Sequence, residues 1–161
     1  MTVWADRHPI SAAMLNPALI SGILATAAQG YDKERDQGMP WALGFIVAPM
    51  VLHGPTRQAL PHSTRTHLAA WAGQHPVIRA GFPARAQALA GAVKEGTRFG
   101  LAHDALALES EGRMRSTIHR PRGFKPPAEL DQLLRKASLA GRWLAKAESP
   151  ATVFAVLGVA P

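Results

Sequence analysis

The chain has 161 residues, of which 47% are hydrophobic but only 6% aromatic, and it carries a net charge of +7. That length suits one domain with a genuine core, and an apolar fraction rich in alanine favours helices packed closely through small side chains. The absence of cysteine excludes structural disulfides and thiolate metal sites.

The longest apolar run, residues 41–52, has twelve members and contains Pro49, whereas a membrane span needs about 20. No basic region followed by a long apolar run opens the sequence. The expected setting is cytoplasmic, with no membrane partner. Positive charge is unevenly placed. Residues 111–146 hold nine of the 18 lysines and arginines but only three of the 11 acidic residues. Such a stretch attracts nucleic acid or an acidic protein surface, or serves as a solvated face.

Residues 1–15 carry no readable pattern beyond Trp4, an expected packing residue. Asn16-Pro17 reads as an N-cap with proline at the first helical position, and Gly30 as the matching stop. Between them Leu19, Ile20, Ile23, Leu24 and Ala27 form an i, i+3/i+4 stripe. The charged cluster Tyr31 to Asp36 then reads as a solvent-facing turn. Pro40 opens a second helix, Trp41 to His53, apolar on almost every side and therefore central, which Pro49 should kink or split. Gly54-Pro55 restarts a short turn that ends by Pro61.

Ser63 and Thr64 are candidate caps for a helix through Leu68 and Trp71 that stops at Gly73. Pro76 starts the next piece, and Pro83 begins a longer helix to about Ala102. Gly91, Gly96 and Gly100 lie inside it, each costing about 1 kcal/mol relative to alanine. Three such glycines predict close approach of a neighbouring helix. Leu106 and Leu108 then alternate with Ala105, Ala107 and Glu109. Ser110-Glu111-Gly112 turns the chain, and Arg113 to Ile118 returns with Met114 and Ile118 on the apolar face, predicting a hairpin. His119 to Pro127 is a basic, extended linker. Leu130, Leu133, Leu134, Ala137, Leu139 and Ala140 mark a helix through Lys146.

The last helix is short and apolar, with Ser149-Pro150 at its start and Gly158 at its end. Burying each of Val153, Phe154, Val156 and Leu157 is worth roughly 1.5–3 kcal/mol, so this terminus is buried against something. The expected fold is mainly α, a helical domain with one β-hairpin. A helix leading directly into a two-stranded wing makes it winged helix-turn-helix-like. One domain spans 1–161: a helical core over 16–102, a hairpin or wing over 105–118, the basic linker over 119–127 and C-terminal helices over 128–161.

Catalytic patterns are missing. Gly91 to Arg98 imitates a phosphate loop, but Thr97 follows the second glycine where lysine is required. The seven histidines, at 8, 53, 62, 67, 75, 103 and 119, show no helical zinc-site spacing, so no metal or cofactor is expected. Asp32, Glu34 and Asp36 alternate with Lys33 and Arg35 like a solvated loop rather than an acid–base pair. No enzyme is expected. The sharpest positive signal is the set Arg113, Arg115, Arg120, Arg122 and Lys125, candidate contacts for DNA or an acidic partner. Trp143, Val153, Phe154 and Leu157 are the candidate protein-docking residues.

Four blocks carry a family resemblance. They are Asn16-Pro17-Ala18-Leu19; Met39-Pro40 with Phe45 to His53 and Thr56-Arg57-x-x-Leu60-Pro61; Arg98-Phe99-Gly100-Leu101; and Arg142-Trp143-x-x-Lys146 with Ser149-Pro150-Ala151-Thr152 and Leu157-Gly158-Val159-x-Pro161. In these blocks the chain resembles the middle component of prokaryotic three-component ABC systems. The resemblance implies a non-catalytic adaptor with no cofactor. Its partners would be an ABC ATPase similar to the SMC and Rad50 ATPases and a third, effector-linked component, with DNA reached through the complex. It implies defence against phage or other invading DNA. The alternative is a winged-helix DNA-binding transcriptional regulator working without an ATPase.

Overall fold

The computed structural model describes residues 15–160 together with 8, 9 and 12; Trp4 lies outside the described residues. In chain order the described elements are helix α1 (Pro17–Arg35), strand β1 (Met39–Pro40) and a 3-10 turn (Trp41–Leu43). Then follow helices α2 (Gly44–Leu52), α3 (Gly54–Ala59), α4 (Leu68–Gln74) and α5 (Pro76–Ala102). Strands β2 (Leu106–Glu109) and β3 (Arg113–Ser116), helix α6 (Ala128–Leu144) and helix α7 (Pro150–Leu157) complete the order. The architecture is mainly helical with one small antiparallel sheet.

Helix α1 is the centre of the packing, flanked by α5 and α6. It starts as expected: the Asn16 Oδ1 accepts from the Ala18 N–H at 2.9 Å, and Pro17 occupies the first turn, where its missing donor costs nothing. It does not stop at Gly30. The helix runs to Arg35, and Asp36 ends it in the left-handed conformation at φ 54°. The expected turn at 31–36 is thus helical, and Tyr31 within it is buried.

Gly30 marks the crossing with α6. A Cβ at Gly30 would run into the Ser138 carbonyl oxygen, and one at Gly141 would run into the Ala27 carbonyl oxygen. The two helices meet backbone to backbone, which only glycine permits. Gly96 and Gly100 of α5 press on the neighbouring part of α1, where an added Cβ would fall 2.5 Å from Ile20 Cγ2 and 2.5 Å from Ser21 Oγ respectively. Gly91 departs from that pattern: the space beside it is open. Helix α5 begins at Pro76 and carries Pro83 inside it, rather than starting there.

The segment after α1 also differs from expectation. Met39 and Pro40 pair with Met114 and Arg113, so the hairpin has a third strand and the sheet order is β1-β3-β2. The apolar helix therefore starts later, at Gly44, and continues through Pro49 to Leu52. In the hairpin, Leu106 and Met114 are buried, whereas Leu108 and Ile118 are 56% and 37% exposed. Leu108 pairs with Met114 but lies beyond the reach of the core. Ser63 and Thr64 cap no helix: α4 begins at Leu68, with His67 preceding it and no side-chain cap. At the C-terminus the Ser149 Oγ accepts from the Thr152 N–H at 3.2 Å, and Gly158 closes α7 at φ 70°. One connected apolar core joins Ile20, Ile23 and Leu24 to Ile46, Met50, Phe82, Leu144 and Leu157. Among the described residues no helix is long and apolar enough to cross a membrane.

Candidate functional site

The five basic candidates fall into two environments. Arg113 and Arg115 alternate with buried Met114 on β3, so strand geometry turns both away from the core. Neither presents a bare cation. The Arg115 guanidinium lies 2.7 Å from Asp32 Oδ1 and 2.8 Å from Glu109 Oε1. The bond to Glu109 and the Asp32 charge raise its already high pKa. Arg113 reaches Glu111 at 3.7 Å and donates to the Gly38 carbonyl at 3.3 Å. A phosphate approaching this face therefore meets three carboxylates along with two guanidiniums.

The linker 117–127 is irregular and mostly exposed. Gln29 of α1 holds its start, donating from Nε2 to the Ile118 carbonyl at 2.8 Å. Arg120 lies 3.6 Å from Asp131 and over the Phe124 ring at 6.0 Å. Arg122 and Lys125 are exposed, with no ion pair among the described residues. Between this linker, α1 and α6 opens a cleft of about 720 Å³ with Leu19, Ile118, Phe124, Leu130 and Leu134 on its apolar surface. Sequence reasoning assigned these leucines to core stripes. The usable signal was that each stripe holds more apolar positions than one contact needs, since Leu19 accompanies Ile20 and Leu130 accompanies Leu133.

The expected burial of the C-terminal residues is met within this chain. Trp143, Val153 and Leu157 are 3%, 0% and 0% exposed, and Phe154 is 9% exposed. The Trp143 Nε1 donates to the Thr66 carbonyl at 2.6 Å, and its ring stands edge-on to Trp71 at 5.4 Å. Of these side chains, Phe154 and Trp143 each border a sizeable cleft. Phe154 borders one of about 730 Å³, together with Trp41, Phe45, Pro83 and Val159. Trp41 is 47% exposed there. Trp143 borders another, of about 750 Å³, with His67, Lys146 and Val156.

A second charged assembly ties α1 to the end of α6. Glu34 accepts from Arg142 at 2.9 Å and pairs with Lys146 at 2.5 Å. The hydrogen bonds from Lys146 and then Arg142 lower its pKa. Arg35 donates to the carbonyls of Ala145 and Ala147, both at 2.6 Å, which supplies donors the helix end lacks. The acidic cluster of 32–36 thus serves as counter-charge to the basic half of the chain.

His53 caps α3, its Nδ1 accepting from the Thr56 N–H at 3.3 Å. Burial, then the nearby Arg85 and Arg57, lowers its pKa. Arg57 donates to the carbonyl of Val51 at 2.6 Å, closing the end of α2. The residues that imitate a phosphate loop, Gly91 to Arg98, are helical, with Ala92 and Val93 buried. Among the described residues no group of three or more His, Asp or Glu side chains is placed to hold a metal ion.

No curated protein and no solved structure matches the chain. A family model does, over residues 4–161, from the first readable residues through the cleft-lining helices to the C-terminal turn. The chain belongs to the family of middle component 3 of ABC-three component (ABC-3C) systems.

Proposed function

We propose that this middle component is a non-enzymatic adaptor that bridges an SMC- or Rad50-like ABC ATPase and an effector-linked third component in defence against invading DNA. The observation that carries this reading is the pair of separate apolar clefts, of about 720 and 730 Å³, one beside α6 and the linker and one beside α2 and α7. A bridge needs two surfaces, and these two share no lining residue. Phe154 contributes to the second, and Trp143 borders a third cleft. For nucleotide state to reach the effector, the adaptor must bind the ATP-bound and ATP-free ATPase unequally.

A second reading, a winged-helix DNA-binding regulator, is favoured by the order of helix, strand, helices, long helix and hairpin. In it Arg113, Arg115, Arg120, Arg122 and Lys125 would contact phosphates, each adding roughly one unit of salt slope. The carboxylates on Arg115 weigh against it.

Co-purification of the tagged chain with the other two components at about 0.5 M salt separates the readings, because surface charge contacts are largely screened there. Retention of the ABC ATPase is expected. A chain that stays alone, yet shifts duplex DNA at low salt with a slope flattened by Arg115→Ala, would overturn the adaptor reading.

A further inference from the structure

The cleft between α1, α6 and the linker has a charge character that the family membership does not dictate. Its surface is apolar through Leu19, Ile118, Phe124, Leu130 and Leu134. Lys33, His119, Arg120 and Arg135 also line it, and among the described residues no carboxylate does. Asp131 approaches two of these cations, Arg135 at 2.6 Å and Arg120 at 3.6 Å, and so offsets one charge of three. Lys33 pairs with no carboxylate among the described residues. Phe124, 47% exposed, and Ile118, 37% exposed, are two of the large apolar side chains that the fold leaves in water. Water-exposed apolar area of this kind, ringed by polar groups, is characteristic of a docking site.

We infer that this cleft receives an amphipathic segment of a partner subunit, with apolar side chains on one face and aspartates or glutamates flanking them. The inference rests on the adaptor reading and names the chemistry of one of its contacts. Apolar side chains would cover Leu19, Phe124, Leu130 and Leu134, while the flanking carboxylates would answer Lys33, Arg120 and Arg135. An acidic partner also explains why the excess cations are gathered here: complementary potentials speed encounter and fix register more than they add affinity. A nucleic-acid occupant fits less well. Its phosphates gain nothing from an apolar surface, and the arginines of the neighbouring hairpin already face Glu109, Glu111 and, from α1, Asp32.

The test uses dye-labelled 20-residue peptides tiling the other two components of the system, with a 20-base-pair duplex alongside, titrated against the full chain by fluorescence anisotropy. The expected result is that the tiles that bind combine apolar residues with flanking carboxylates. Phe124→Ser and Lys33→Glu should each weaken them at least tenfold, and replacing the tile's glutamates with lysine should restore binding to Lys33→Glu. Both substituted side chains are exposed, and thermal melts check that each variant folds. Three results would overturn the proposal: no tile binds, the binding tiles ignore both variants, or duplex binding is what the variants weaken. If the three components co-purify while no tile depends on the cleft, this inference alone fails. If they do not co-purify, the adaptor reading fails.

Discussion

The two faces of α1 are built on opposite principles. One face, through Ile20, Ile23, Ala27 and Gly30, is pressed so closely on its neighbours that a methyl group has no room, against backbone at α6 and against side chains at α5. The other, through Leu19, Gly22, Thr26, Gln29 and Lys33, lines an open cleft. The same residue type therefore means opposite things a few positions apart. Gly30 is indispensable where α6 crosses, whereas Gly22 has open space around it and no packing reason to lack a side chain. The tight face specifies the fold, and the loose face is free to specify a partner.

The contrast is broken most directly at the crossing. Gly141→Ala should destabilise the chain by about 3 kcal/mol, because the new methyl meets backbone that cannot rotate away. A denaturant melt reads that loss, and an unchanged midpoint would mean that the helices can simply separate. On the open face the sign reverses. Gly22→Ala should stabilise the chain by about 1 kcal/mol through helix propensity, and it should narrow the cleft. If both substitutions destabilise, the two faces are not distinct.

The smallest effect belongs to the polar clamp at the end of the tight face. The folded pKa of Glu34 is depressed, so its contribution is fully present above the unfolded value near 4.5 and is lost as pH falls through the folded one. Glu34→Gln should flatten the fall in melting temperature between pH 5 and 3, as measured by circular dichroism. An identical pH profile for wild type and variant would show that Arg142 and Lys146 find no net gain in Glu34.

Much of the helical frame is legible in the sequence because its signals are local. Asn16-Pro17, Ser149-Pro150 and Gly158 act on their own backbone neighbours, and each is found in the role expected of it. The misreadings share one cause, distance along the chain. Gly30 resembles a helix stop until α6 is placed across it. Met39-Pro40 is too short to show a strand period, and it becomes a strand only through β3, far along the chain. Arg113 and Arg115 read as free phosphate contacts; for Arg115, Asp32 lies 83 residues away, although its other partner, Glu109, is local. The cleft itself was written in the sequence only as surplus leucines on α1 and α6, and nothing local separates a leucine for the core from one for a partner.

The pairing of α1 with α6 also bears on how the chain is made. Glu34 and Arg142, which close one end of that crossing, stand 108 residues apart. Helix α1 must therefore keep Ala27, Gly30 and their neighbours uncovered until α6, 108 residues on, has been synthesised. Contacts of such separation form late, and the apolar surface waiting for them is exposed to aggregation in the meantime. Production of this subunit alongside its partners, rather than alone, would shorten that exposure if a partner reaches the nascent helix first.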